Sequence, residues 1–318
     1  MAVQEGMYMT FENKQSIYDA INKLRIQNDA LILAHLYENL DIQNIADFCG
    51  DSFELAKRAK DSERKNIIFC GVKFMAESAK ILNPDKHVFI PRKDAGCAMA
   101  DMVTPEDVRK LKEAHPNACA VCYINSSAAT KAECDMCVTS SNALDIISAL
   151  PQKEIIFVPD KNLGAYIAEK LPEKVFYIHS GYCPVHKNIS ADALIEAKKN
   201  HPDALVLVHP ECEKEVVELS DFAGSTSAII KYAHSSSSKS FIIGTERAVC
   251  ERLIQECPDK NFYLLSETLV CEDMKKTTLL DLYSTIQTLS DEVILDDEVM
   301  KRSSKCLEGM LKAGSVKK

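Results

Sequence analysis

NIIFCGVKFMAESAKILNPDKHVFIPRKDAGC, residues 66–97, reads as an apolar strand, an amphipathic helix, a Pro-acid-Lys turn, a second strand and a closing cysteine. The plan returns in EIIFVPDKNLGAYIAEKLPEKVFYIHSGYC (154–183) and SFIIGTERAVCERLIQECPDKNFYLLSETLVC (240–271). Pro84, Pro172 and Pro258 are 88 and 86 residues apart; Cys97, Cys183 and Cys271 are 86 and 88 apart. Self-similarity at a fixed period marks a repeated structural unit.

The segments upstream repeat too. LILAHLYENLDIQNIADFCGDS (31–52), AVCYINSSAATKAECDMCVTS (120–140) and LVLVHPECEKEVVELSDFAGST (205–226) share a strand, a polar-tipped turn, a helix and a short strand, with Asp47, Asp135 and Asp221 in register. One more helix precedes each unit. Two have clear start signals, at Thr104-Pro105-Glu106 and Ser190-Ala191-Asp192; the first falls near residues 13–25. The chain therefore reads as a triplicated helix–strand–helix–strand–helix–strand unit. Strands such as LILAH and LVLVH are continuously apolar, as parallel strands buried on both faces are. The expected fold is α/β: three pseudo-symmetric three-layer α/β/α domains with parallel sheets around a pseudo-threefold axis. Boundaries are expected at residues 1–103, 104–189 and 190–276, with C-terminal helices and a tail over 277–318.

Bulk properties narrow the function. A net charge of −9 argues against a broad nucleic-acid-binding face. No apolar run is long enough to span a membrane. MAVQEGMYMTFENKQ (1–15) lacks the basic flank and apolar core of a signal peptide, so a cytoplasmic location is expected. The 13 cysteines are then expected to be reduced, most of them as small buried side chains.

CAVCYINSSAATKAECDMC (119–137) carries two C-x-x-C pairs at a spacing close to a zinc knuckle. The repeat argues against that reading. Cys119 and Cys122 lie on a strand, where residues three apart face opposite ways. Cys134 and Cys137 match ordinary packing positions such as Ala46 and Phe222 in the other units. Cys97, Cys183 and Cys271 differ: each ends a strand, where ligands of open parallel sheets sit. Brought together on a threefold axis, three thiolates form a site with one position open, suited to zinc with a water or to a 4Fe–4S cluster with a free iron.

The same offsets gather His35, Tyr123 and His209; Tyr37, Asn125 and Glu211; and Ser52, Ser140 and Thr226. The first two groups end apolar strands. The third opens helices, where hydroxyls either cap or, with the free N–H groups, bind carboxylate and phosphate. His35, His209 and Glu211 are candidate acids or bases, and Tyr37 and Tyr123 candidate donors.

These residues resemble the quinolinate synthase family over roughly residues 28–310. The likeness rests on AHLY (34–37), IADFCGDSFELA (45–56), FCGVKFMAESAKILNPDK (69–86), GCAMADM (96–102), YINSSAATKAECD (123–135), VTSSNA (138–143), FVPDKNLGAYIA (157–168), CPVH (183–186), HPEC (209–212), STSAIIK (225–231) and CEDMK (271–275). The resemblance implies a transferase of NAD biosynthesis that condenses iminoaspartate with dihydroxyacetone phosphate to give quinolinate, phosphate and water. It implies a 4Fe–4S cluster on Cys97, Cys183 and Cys271, whose open iron acts as Lewis acid. It places substrate contacts at His35, Ser52, Tyr123, Asn125, Ser140, His209, Glu211 and Thr226, and catalytic groups at Tyr37, His209 and Glu211. L-aspartate oxidase is the partner expected to supply iminoaspartate. Family members often carry Gln where this chain has Glu38, which is left outside the site. Some surround the last ligand with further cysteines; here Cys271 is followed by Glu272, Asp273 and Met274. Two other readings stay open: a 4Fe–4S hydro-lyase acting on a hydroxy acid, and a non-catalytic iron–sulfur sensor.

Overall fold

The computed structural model describes residues 14–314. The signal-peptide reading of residues 1–15 thus falls almost wholly outside the described residues, as does the end of the basic tail at 315–318.

The first unit runs α1 (Lys14–Gln27), β1 (Ala30–His35), α2 (Leu40–Ile45), β2 (Phe48–Gly50), α3 (Ser52–Asp61), β3 (Asn66–Cys70), α4 (Lys73–Leu82) and β4 (His87–Phe89). The second runs α5 (Pro105–Ala114), β5 (Cys119–Tyr123), α6 (Ala128–Lys131), β6 (Met136–Val138), α7 (Ala143–Ala149), β7 (Glu154–Val158), α8 (Lys161–Lys170) and β8 (Val175–Ile178). After the one-turn helix α9 (Pro184–Lys187), the third runs α10 (Ala191–Asn200), β9 (Leu205–Val208), α11 (Lys214–Glu218), β10 (Phe222–Ala223), α12 (Thr226–Ser235), β11 (Ser240–Gly244), α13 (Arg247–Glu256) and β12 (Asn261–Leu264). The chain closes with α14 (Glu272–Lys275), α15 (Leu279–Thr288) and α16 (Asp297–Gly314).

Each unit forms a four-stranded sheet paired in parallel throughout, ordered β2-β1-β3-β4, β6-β5-β7-β8 and β10-β9-β11-β12. The three α/β/α layers match the sequence reading, but the unit has four strands where the condensed alternation had three. The additional strands β2, β6 and β10 span two or three residues and are the short strands that close the upstream segments, which the condensed alternation leaves out. Every residue of β1 and of β5 is buried, because helices cover both faces of each sheet.

The three equivalent aspartates have a structural task. Asp47, Asp135 and Asp221 each accept the backbone N–H of a central-strand residue, Ile32, Ala120 and Val206, at 2.8 Å. Each returns its own N–H to the carbonyl of that same residue. A basic side chain from the unit's leading helix, Arg25, Lys112 or Lys198, pairs with each carboxylate. These clips fix where each short edge strand starts and hence where its successor helix begins.

The C-terminal elements return to the first two units. α15 packs on α1, burying Leu282 and Ile286 with Ile17 and Ile21. α16 lies across β6, α6 and α4 and buries Cys306, Leu307 and Met310 completely. Among the described residues no helix is long and apolar enough to cross a membrane.

Candidate active site

The carboxyl ends of β1, β5 and β9 face one central cavity of about 320 Å³. Its wall includes His35, Tyr37 and Ser52 from the first unit, Tyr123, Asn125 and Ser140 from the second, and His209, Glu211 and Thr226 from the third. Cys97, Cys183 and Cys271 line the same cavity. All twelve candidate site residues are therefore brought together.

The helix-terminal hydroxyls differ in detail from the expectation. α3 is capped by Asp51, which accepts from the N–H groups of Phe53 and Glu54 at 3.0 Å. α12 is capped by Ser225, which accepts from Ala228. Ser52 and Thr226, one residue later, are thus relieved of capping. The third expectation is corrected: α7 starts only at Ala143, behind an Asn142 whose side chain accepts from Thr139, so Ser140 stands ahead of the helix and does not open it.

A continuous hydrogen-bond chain crosses the cavity floor. Thr226 donates to the Tyr37 hydroxyl at 3.0 Å, which leaves that hydroxyl to donate to Thr245 at 3.0 Å. Thr245 lies 2.9 Å from His186 Nε2, and His186 Nδ1 lies 2.7 Å from Glu211 Oε2. The Tyr123 hydroxyl donates to Glu211 Oε1 at 2.7 Å. His186 and Thr245 carried no role in the sequence reading. The signal for His186 was its position three residues after Cys183 in CPVH, on the same face of one helical turn.

His35 and His209 share a second device. The backbone N–H two residues on, of Tyr37 or Glu211, donates to their Nδ1 at 3.1 and 3.3 Å. A neutral imidazole that accepts at Nδ1 carries its proton on Nε2. His209 Nε2 accordingly reaches the Ser140 hydroxyl, at 3.2 Å. Burial keeps both rings neutral, lowering His35 to about 3 and His209 to about 4. Burial also works against the Glu211 carboxylate. The surrounding His209 and His186 and the hydrogen bonds from His186 and Tyr123 outweigh it and hold its pKa well below the usual range. Burial, then the Glu211 charge, raises both Tyr37 and Tyr123.

The three cavity cysteines have a common local geometry. Cys183 and Cys271 precede the short helices α9 and α14, and Cys97 precedes the helical turn Ala100–Met102. Burial pushes Cys97 up to about 12 and Cys271 up to about 11, and raises Cys183 as well. A backbone N–H three residues on, from Ala100, His186 or Met274, pulls each thiol the other way. Two acidic helix caps brace this arrangement. Asp160 caps α8 and accepts the N–H of Cys183 at 3.2 Å, while Glu246 caps α13, accepts the N–H of Cys271 at 3.4 Å and pairs with Lys275 at 3.0 Å.

A second cysteine group lies outside the cavity. The sulfurs of Cys122, Cys137 and Cys306 fall within 4.8 Å of one another, fully buried, and the three could hold a metal centre. The C-x-x-C cysteines are all buried in the core, as the sequence reading has it, but two of them come together with a third from outside the motif. Cys119 and Cys122 do face apart, as strand alternation requires, so Cys119 stays outside the group. One cysteine from each pair instead meets Cys306 of α16, a partner too distant in sequence to enter a spacing argument.

Comparison with known proteins bears on the whole chain. The family model for quinolinate synthetase A protein matches residues 19–312. The quinolinate synthase of Clostridioides difficile (strain 630) is 52% identical over 292 residues, 92% of this chain and 96% of that protein. That of Clostridium perfringens (strain SM101 / Type A) is 50% identical over 298 residues, 94% of this chain and 99% of the relative. That of Caldicellulosiruptor bescii is 47% identical over 302 residues, 95% of this chain and the full length of the relative. With its three sheets, its shared cavity and a match running almost end to end, the chain belongs to the quinolinate synthase family of enzymes.

Proposed function

We propose that the chain condenses iminoaspartate with dihydroxyacetone phosphate to form quinolinate in NAD biosynthesis, in a cavity that also holds a 4Fe–4S cluster on Cys97, Cys183 and Cys271. The observation that carries this reading is the convergence of three cysteines, each lying five to eight residues past its strand rather than at the strand end, and nine polar residues on one cavity in a chain about half identical to named quinolinate synthases. The cysteines suit the cluster. Each sulfur faces an N–H donor, which favours the thiolate, and no cavity-lining cysteine is spent on a disulfide. When bound through three irons, the cluster supplies a Lewis acid at its fourth iron.

The protein groups divide the remaining work. His35 and His209, neutral and protonated on Nε2, donate to carboxylate or phosphate oxygens without adding charge. Ser52, Ser140 and Thr226 add hydroxyl donors around the same space, and Asn125 orients the substrate beside Tyr123. Glu211 is ionised and accepts protons, whereas the basic Nδ1 of neutral His209 is already occupied by the Glu211 N–H, so Glu211 is the better placed of the two candidate bases. The donors of the chain Tyr37–Thr245–His186 point toward Glu211, so it delivers a proton to Glu211 from Tyr37, where ring closure needs proton exchange. Iminoaspartate is supplied by an L-aspartate oxidase in this scheme.

Anaerobic assay of quinolinate formation from both substrates tests the reading. Glu211→Gln keeps the shape but not the base, and kcat is expected to fall by about 10²- to 10⁴-fold. Turnover in the absence of dihydroxyacetone phosphate, or a fully active Glu211→Gln enzyme, overturns it.

A further inference from the structure

The cysteines under α16 form a set of four. Cys122 Sγ lies 3.5 Å from Cys306 Sγ and the Cys137 sulfur lies within 4.8 Å of both, while Cys134, buried beside them, donates to the Thr130 carbonyl at 3.3 Å and is the fourth thiol at hand. Cys122 and Cys137 are register partners on β5 and β6, so their side chains leave the sheet on the same face. That face is the one α16 covers, and the cavity lies beyond the other, where Tyr123 points.

We propose that Cys122, Cys134, Cys137 and Cys306 bind a structural zinc ion that fastens the C-terminal helix to the second sheet. Zinc–sulfur bonds of about 2.3 Å at tetrahedral angles place sulfurs about 3.8 Å apart, and the spread within 4.8 Å in the core trio fits that geometry. A 4Fe–4S cube needs its thiolates spread over outer corners, wider than this group allows. On binding, the four thiols release their protons to solvent and the ion completes its coordination with sulfur alone, closed as structural sites are.

Lys131 supplies an independent argument. It is fully buried, its Nζ held by the Ser126 carbonyl and set 5.2 Å from the Phe74 ring centroid. Among the described residues no carboxylate lies within ion-pair distance of it. A buried cation without a counter-charge is costly. Zinc with four thiolates carries a net charge of −2, and Lys131 is among the charges acting on Cys122 and Cys137.

Metal analysis of the intact chain, purified without air, tests the site separately from the catalytic cluster. Wild-type protein is expected to carry equimolar zinc besides its iron. Cys97→Ala is expected to lose iron and keep zinc; Cys306→Ala, to lose zinc; Cys257→Ala, a buried cysteine outside the group, to keep both. Should Cys306→Ala fail to fold, cobalt(II) exchanged into wild-type protein gives the second readout, the intense sulfur-to-metal bands of a tetrahedral thiolate site. Zinc-free wild-type protein without cobalt bands, zinc lost with Cys97 but not with Cys306, iron in the four-cysteine site, or a native Cys122–Cys306 disulfide each overturns the proposal.

Discussion

Tyr123, the last residue of β5, donates a 2.7 Å hydrogen bond to Glu211, which follows β9. The contact joins the second and third units across the cavity and gives the buried carboxylate one of its two strong donors, His186 being the other. Tyr123→Phe removes it and leaves Glu211 under-solvated, at a cost of about 1–3 kcal/mol. The urea midpoint is expected to fall accordingly, and kcat to drop by about 10²-fold, as for loss of a preorganised donor. An unchanged kcat would detach the tyrosine from the chemistry.

Cys97→Ser, Cys183→Ser and Cys271→Ser are each expected to lose iron, inorganic sulfide and brown colour together with turnover. Cys119→Ser is expected to keep all four, because that side chain faces away from both cysteine groups. Iron and sulfide analysis of anaerobic protein checks both halves.

Asp51 and Ser52 are neighbours with different work. Asp51→Ala removes the α3 cap and is expected to cost about 0.5–2 kcal/mol of stability. Ser52→Ala is expected to leave stability within about 0.5 kcal/mol, as surface-like substitutions do, and to raise KM. The double change Ser140→Ala with Thr226→Ala is expected to raise KM further while sparing iron content. Thermal melts read beside steady-state kinetics separate these effects.

Acid is expected to destabilise the fold in two stages. His35 and His209 have native pKa values of about 3 and about 4, below the unfolded value of about 6.5. Between those limits the unfolded chain binds protons that the native chain refuses. Stability is therefore fully present above pH about 6.5 and declines as pH falls, by up to about 1.4 kcal/mol per pH unit for each ring. Glu211, held below the usual carboxylate range, adds a loss as pH falls below about 4.5. Tm measured against pH should show this slope, reduced in His35→Gln; a flat profile between pH 7 and 5 would contradict neutral buried rings.

Much of this was legible because a triplicated chain reports equivalent positions by arithmetic. Offsets of 86 and 88 found the strand ends and the cavity residues without any knowledge of side-chain direction. The same arithmetic could not tell a binding residue from a clip: Asp47, Asp135 and Asp221 repeat as faithfully as the cysteines, yet they bond backbone. Nor could it see what lies outside the repeat. Cys306 meets Cys122 across 184 residues of chain, and His186 stands where the other two units have Ala100 and Met274, so no repeated side chain marks it. The late start of α7 was hidden because the Asn142 side chain holds Thr139 in a turn where the other units already have helix.

The segment between α15 and α16 has one more role. Val293 donates to the Val88 carbonyl and Ile90 donates to the Asp291 carbonyl, forming an antiparallel bridge opposite Phe89. The outer rim of β4 is thereby occupied, while the opposite rims of all three sheets are strands of two or three residues. Short or covered rims deny another chain a template for ribbon pairing. A chain cut before residue 290 would bare the β4 rim and the apolar surface under α16 together, and it would self-associate into insoluble material before any loss of catalysis could be measured.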